Sequence, residues 1–104
     1  MPLLTKSQKR RVRELAANAH ARELGSALTA LYGEFQRWGE GKISAFDLND
    51  LVHEFHNGVS RELYKRYVVG SLELGVIYAL RQSVVTPDEV GRDLVAALGV
   101  EADE

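Results

Sequence analysis

The stretch that decides the fold is Ile43 to Tyr67, ISAFDLNDLVHEFHNGVSRELYKRY. Its first residues satisfy two local rules at once. Ser44-Ala-Phe-Asp47 has the spacing of a capping box, in which the serine and the acid each satisfy a backbone N–H at a helix start. Ile43 and Leu48 flank it as a hydrophobic staple. The helix that begins here carries Leu48, Leu51, Val52 and Phe55 on one side, at helical spacing. Asn57-Gly58 reads as its end, and Ser60 as the cap of a third helix running to about Ser83.

Upstream, Thr5-Lys-Ser-Gln8 is a second capping box, and a helical pattern follows to about Trp38. Leu24, Leu28, Leu31, Phe35 and Trp38 recur at steps of four, three, four and three, a single helix face. Val12, Leu15, Ala16 and Ala19 continue the apolar pattern with smaller side chains, which allows close approach of another helix. Gly39-Glu-Gly41 ends the helix, because glycine enters the left-handed conformation cheaply. Downstream, Val68, Val69, Leu72, Leu74, Val76, Ile77, Ala79 and Leu80 cover nearly the whole circumference of the third helix. A helix apolar all round is surrounded, here by the rest of the bundle or by a second subunit, with Val68, Leu72 and Val76 as the interface. Gly70 and Gly75 within it are expected to permit close helix contact. Thr86-Pro-Asp-Glu89 starts a fourth helix with Pro87 in the first helical position, and Gly99 ends it.

The expected architecture is therefore all-α, a four-helix, bundle-like single domain over residues 1–104. Its helices fall at about 6–38, 45–57, 60–83 and 87–98, with a frayed acidic tail at 100–104. At 45% apolar and 27% charged residues, the composition is that of an ordinary globular chain. It lacks cysteine, which removes disulfide and thiol chemistry. With no secretory signal and only a short apolar run, Tyr67 to Leu80, interrupted by Glu73, a cytoplasmic protein without a membrane span is expected. A net charge of −2 argues against general nucleic-acid binding. The charge is uneven, however: Lys6, Lys9, Arg10, Arg11 and Arg13 crowd one end, and Asp88, Glu89, Asp93, Glu101, Asp103 and Glu104 the other. Ends of opposite sign can pair within or between chains.

Gln36 to Asp47 resembles an EF-hand loop in outline, with Gly41 in the sixth place and Asp47 in the twelfth. The ligand places one, three and five hold Gln36, Trp38 and Glu40, which cannot build the oxygen cage calcium needs. The histidines offer more. Asn49, His53 and His56 share one strip beside the apolar stripe of the second helix. His53 and His56 are three apart, half of a zinc site, and no third ligand is evident. If the helices fold back at Gly58, Arg61, Glu62, Tyr64 and Tyr67 approach these histidines. His53 or His56 as base, Arg61 as anion clamp and Tyr64 beside them would suit phosphodiester cleavage. The same groups serve equally as a polar network locking two helices together. Glu73, an acid in the apolar half of the third helix, needs a partner if it is buried. No phosphate loop, nucleophile elbow or other cofactor motif occurs.

The function that fits best is a small helical interaction or regulatory module, self-associating through the third helix or engaging one protein partner. The alternatives are a small RNA-cleaving hydrolase using His53, His56, Arg61 and Tyr64, and a metal-binding helical module. Binding residues would be Asn49, Glu62, Tyr67 and Glu73, and no cofactor is expected.

Overall fold

A computed structural model describes residues 3–100 and is all-α, with no strand among them. Helix α1 (Lys6–Gly39) is the spine. Its start is the expected capping box: Gln8 N–H donates to Thr5 Oγ1 at 3.0 Å, and Thr5 N–H to Gln8 Oε1 at 2.9 Å. Its 34 residues rise about 50 Å and so set the long axis of a molecule of 54 × 25 × 21 Å. Gly41, at φ 76°, turns the chain. Lys42 N–H donates to Arg37 O at 2.8 Å and Gly41 N–H to Trp38 O at 3.0 Å, the paired bonds of a Schellman end. Helix α2 (Ala45–Phe55) then starts on the Ser44–Asp47 box, both bonds of which are 3.0 Å, and packs beside the distal half of α1.

The end expected at Asn57-Gly58 does not occur. Residues His56–Ser60 form a π-helical segment, α3 (Arg61–Tyr64) follows, and Lys65–Val69 form a second π-helical segment. The junction residues stay in the right-handed helical region, so residues 45–69 make one continuous rod, and Ser60 makes no side-chain cap. Tertiary packing overrides the turn signal. Leu63 and Tyr67 are 2% and 3% exposed, and they reach their places against α1 only if the rod continues alongside it. Phe55, Val59, Leu63 and Tyr67 recur every four residues, which drifts about 40° per step on a 3.6-residue helix. Wider π turns absorb that drift.

The helix expected at 60–83 breaks instead at Gly70, whose backbone is extended. Ser71 caps α4 (Leu72–Arg81), accepting from Leu74 N–H at 3.2 Å. The break lets α4 pack against α1 and the second π segment. Gly75 is the contact point: a Cβ there would lie 3.0 Å from Arg66 O and 3.2 Å from Tyr67 Cδ1. Close approach was expected of both glycines, and Gly75 makes it, whereas Gly70 is the hinge. The helix expected at 87–98 is also split, into α5 (Pro87–Val90) and α6 (Arg92–Ala97), by Gly91 at φ 93°. The guanidinium of Arg11 occupies the space where a side chain at Gly91 would go, and it donates to Val90 O.

The core lies at one end of the spine. Val12, Leu15, Ala16 and Ala19 of α1 meet Leu63, Tyr67, Val76, Ala79, Val85, Val90, Leu94 and Leu98 in one buried cluster. The distal half of α1 and α2 project from this base as a two-helix arm. Of the acidic tail only Val100, which is buried, lies within the described residues.

Three helix ends share the Schellman pattern, two with glycine in the left-handed position, Gly41 and Gly99, and one with Ser83 at φ 60°. Replacing Ser83 by glycine is expected to stabilise the fold by about 0.5–1 kcal/mol. That is the left-handed penalty of an L-residue less the extra freedom of glycine in the unfolded chain. Gly91→Ala is expected to destabilise by more than about 1 kcal/mol, since it adds a left-handed penalty and displaces the Arg11 guanidinium from Val90 O. Urea unfolding of the two variants checks both signs.

Candidate functional site

The histidine corner is not assembled. Asn49, His53 and His56 are exposed on the α2 side of the rod, and Arg61, Glu62 and Tyr64 are exposed further along it. The fold-back that would bring the two sets together is absent, because the helix passes through Gly58. Among the described residues no group of three or more His, Asp or Glu side chains could hold a metal ion. Glu73 is partly exposed. It shares the wall of a shallow surface cavity with Lys9 and Arg13 and lies 3.4 Å from Ser71 Oγ. Of the interface candidates, Val76 is fully buried within the chain, Leu72 is partly buried and packs on the core, and Val68 is exposed.

The polar network forms elsewhere, around Tyr67. The Tyr67 hydroxyl donates to Glu23 Oε2 at 2.5 Å, and the His20 ring stacks on the phenol with centroids 5.8 Å apart. Arg66 Nη1 lies 3.6 Å from the same Glu23 oxygen, and its guanidinium covers the Tyr78 ring at 3.9 Å. Burial, and then the hydrogen bond to Glu23, raise the Tyr67 pKa above its ordinary value, so the phenol stays a donor. The network joins α1, the rod and α4. This is a clasp. Only Tyr67 was among the residues singled out from the sequence. Glu23 had a signal: Val12, Ala16, Ala19 and Glu23 continue one α1 stripe at steps of four, three and four, placing an acid on a buried face.

One pair links the two charged ends within the chain and a second joins Arg22 of α1 to Glu89, while Glu101, Asp103 and Glu104 lie outside the described residues. Arg11 Nη1 binds Asp93 at 3.0 and 3.2 Å, and Gln8 Nε2 reaches the same carboxylate at 3.4 Å. Arg22 Nη1 donates to Glu89 Oε1 at 2.9 Å and to Val84 O at 2.8 Å. The Arg22 contact, aided by the Thr86 backbone N–H, holds the Glu89 carboxyl at about 2, and Arg11 holds Asp93 below the usual carboxylate range.

Among the described residues the arm carries an exposed apolar surface without a partner. On α1, Leu28, Tyr32, Phe35 and Trp38 are 46%, 62%, 43% and 47% exposed. From Leu24 to Gln36 the only charged residue is Glu34. The arm has two open faces. One is a shallow groove of about 330 Å³ lined by Ala30, Leu31, Leu51, Phe55 and Val59 and rimmed by Glu34 and Glu54. At about 100° per residue, the opposite face carries Leu28 and Phe35 of α1 beside Val52 of α2, with Asn49 and His56 at its edge. Within the described residues no helix is long and apolar enough to cross a membrane.

Two outcomes test this description. Tyr67→Phe is expected to cost about 1.5–3 kcal/mol, the worth of a hydrogen bond to a charged acceptor, and to leave the fold helical by circular dichroism. For acid stability the sign follows from Glu89. Its folded-state carboxyl titrates at about 2 against an ordinary 4.5, so its contribution is complete above about 4.5 and is lost as pH falls towards 2. Glu89→Gln is expected to flatten the loss of stability across that window, as read from urea midpoints against pH. No family model, curated protein or solved structure matches the chain, which leaves its own geometry as the basis for a function.

Proposed function

We propose that the protein is a helical interaction module that docks through its arm, with the clasped base as the mount. The observation that carries this reading is the charge-poor apolar ridge of α1, Leu28, Tyr32, Phe35 and Trp38, projecting beyond the core. A monomer rarely leaves such a ridge open unless it meets another surface, and depletion of charge with enrichment of aromatic residues is the compositional mark of an interface centre. Val68, Val69 and Leu74 add a smaller exposed apolar area on the segment where self-association was expected from the sequence. The arm offers the larger and more aromatic surface, so the docking role is assigned there.

The test is local. A photo-crosslinking amino acid replaces Tyr32 on the arm in one variant and Asp88, exposed on the base, in another. Illumination in cells is expected to give discrete adducts from position 32 and none from position 88. Equal labelling at both positions, or none at either, would sink the docking role.

A further inference from the structure

We infer that the arm's occupant is a second copy of this chain. Two arms pack face to face through Leu28 and Phe35, with Trp38 at the margin, and close a four-helix bundle. This rests on the reading of the arm as a docking surface, and four features of the chain select the partner and the face.

The first is periodicity. Leu24, Leu28, Leu31, Phe35 and Trp38 step by four, three, four and three over two heptads, the repeat of a helix whose seam meets another helix at a shallow angle. In the single chain α2 covers only part of that seam, leaving Leu28 and Phe35 nearly half exposed. The second is layer count. Two antiparallel helices bury one line of contact between them, and stable helical architectures add a second layer. A second hairpin supplies it, and a two-fold axis makes the contact self-complementary and closed.

Charge chooses between the two faces. The groove face is rimmed by Glu34 and Glu54, and two such faces would bring carboxylates together. The Leu28–Phe35 face has no carboxylate on α1 between Leu24 and Phe35 directed to it, since Glu34 lines the groove on the other side. Its edge is formed by Asn49 and His56, two of the three residues whose strip drew attention in the sequence. Area is the fourth feature. Two helices each about 10 Å wide, over the roughly 24 Å from Leu24 to Gly39, present a face of about 500 Å². A face-to-face pair then buries on the order of 1,000 Å², the lower bound for a specific protein interface.

Sedimentation equilibrium of the full chain tests the pairing, with Trp38, the single tryptophan, as a reporter beside the contact. The wild type is expected to be a dimer, with Trp38 emission shifting to the blue and iodide quenching falling as concentration rises. Leu28→Glu and Phe35→Glu are each expected to weaken the dimer about thirtyfold or more, the effect of a central interface residue, with helical content retained. Ala30→Glu, on the exposed groove side, is expected to leave the mass unchanged. If an arm variant unfolds, the concentration dependence of wild-type Trp38 quenching decides. A wild type that stays monomeric overturns the pairing, as does a dimer that keeps Trp38 quenchable or responds to Ala30→Glu but not to Leu28→Glu. A monomer that still gives discrete Tyr32 adducts of another mass overturns self-pairing and leaves the docking role standing. Absence of any Tyr32 adduct removes both.

Discussion

Everything in this chain is arranged around the mismatch between one long helix and one small core. The α1 spine is 34 residues long, but its buried residues, Val12, Leu15, Ala16 and Ala19, all lie in its first half. There the side chains are small, so α4 approaches closely, and Val76 and Ala79 are completely buried. Beyond Ala19 the spine outruns the elements available to cover it. Only α2 and the π segment that follows it in the rod accompany it, and two helices cannot enclose an apolar seam. The division into a packed base and an open arm follows from that shortage.

The rod carries the same constraint in a different form. It has to run antiparallel to α1 from the tip back to the base while keeping the Phe55, Val59, Leu63 and Tyr67 series in register beside it. Steps of four do not close on a 3.6-residue helix, and two π segments take up the error. The register they preserve delivers Tyr67 to Glu23 and His20 and sets Arg66 over Tyr78. Gly70 then releases the chain so that α4 can return, with Gly75 letting it sit against Tyr67. The clasp and the two ion-paired contacts, Arg11–Asp93 and Arg22–Glu89, hold the short α5 and α6 segments and α4 to the spine. The ion pairs are largely exposed and individually weak. The buried Val90, Leu94 and Leu98 supply most of the attachment.

The helix starts were legible because capping is local chemistry. Thr5, Ser44 and Thr86 each cap with the residue three further on, as the spacing says. The ends were legible only in part. Gly41 and Gly99 take the left-handed turn expected of glycine at a helix end, but Ser83 takes the same turn without glycine, and Asn57-Gly58 does not take it at all. A glycine permits a turn, and the burial of Leu63 and Tyr67 downstream decides against using the permission. The fold-back expected to carry Arg61, Glu62 and Tyr64 towards His53 and His56 is absent for the same reason.

By itself the sequence determined the all-α class, the long first helix, its capped partner, the three cap residues and the heptad ridge from Leu24 to Trp38. All of these depend on neighbours within about four residues along the chain, so local stereochemistry is sufficient. Tertiary structure alone decided that the rod passes Gly58 and breaks at Gly70, that Gly91 yields its space to Arg11, and that Glu23 rather than a histidine becomes the partner of Tyr67. Those outcomes depend on contacts between residues tens of positions apart, where the gain from burying apolar side chains exceeds the preference of any single residue for a turn. The same contacts determine which half of the α1 ridge is covered, and therefore which half is left open on the arm.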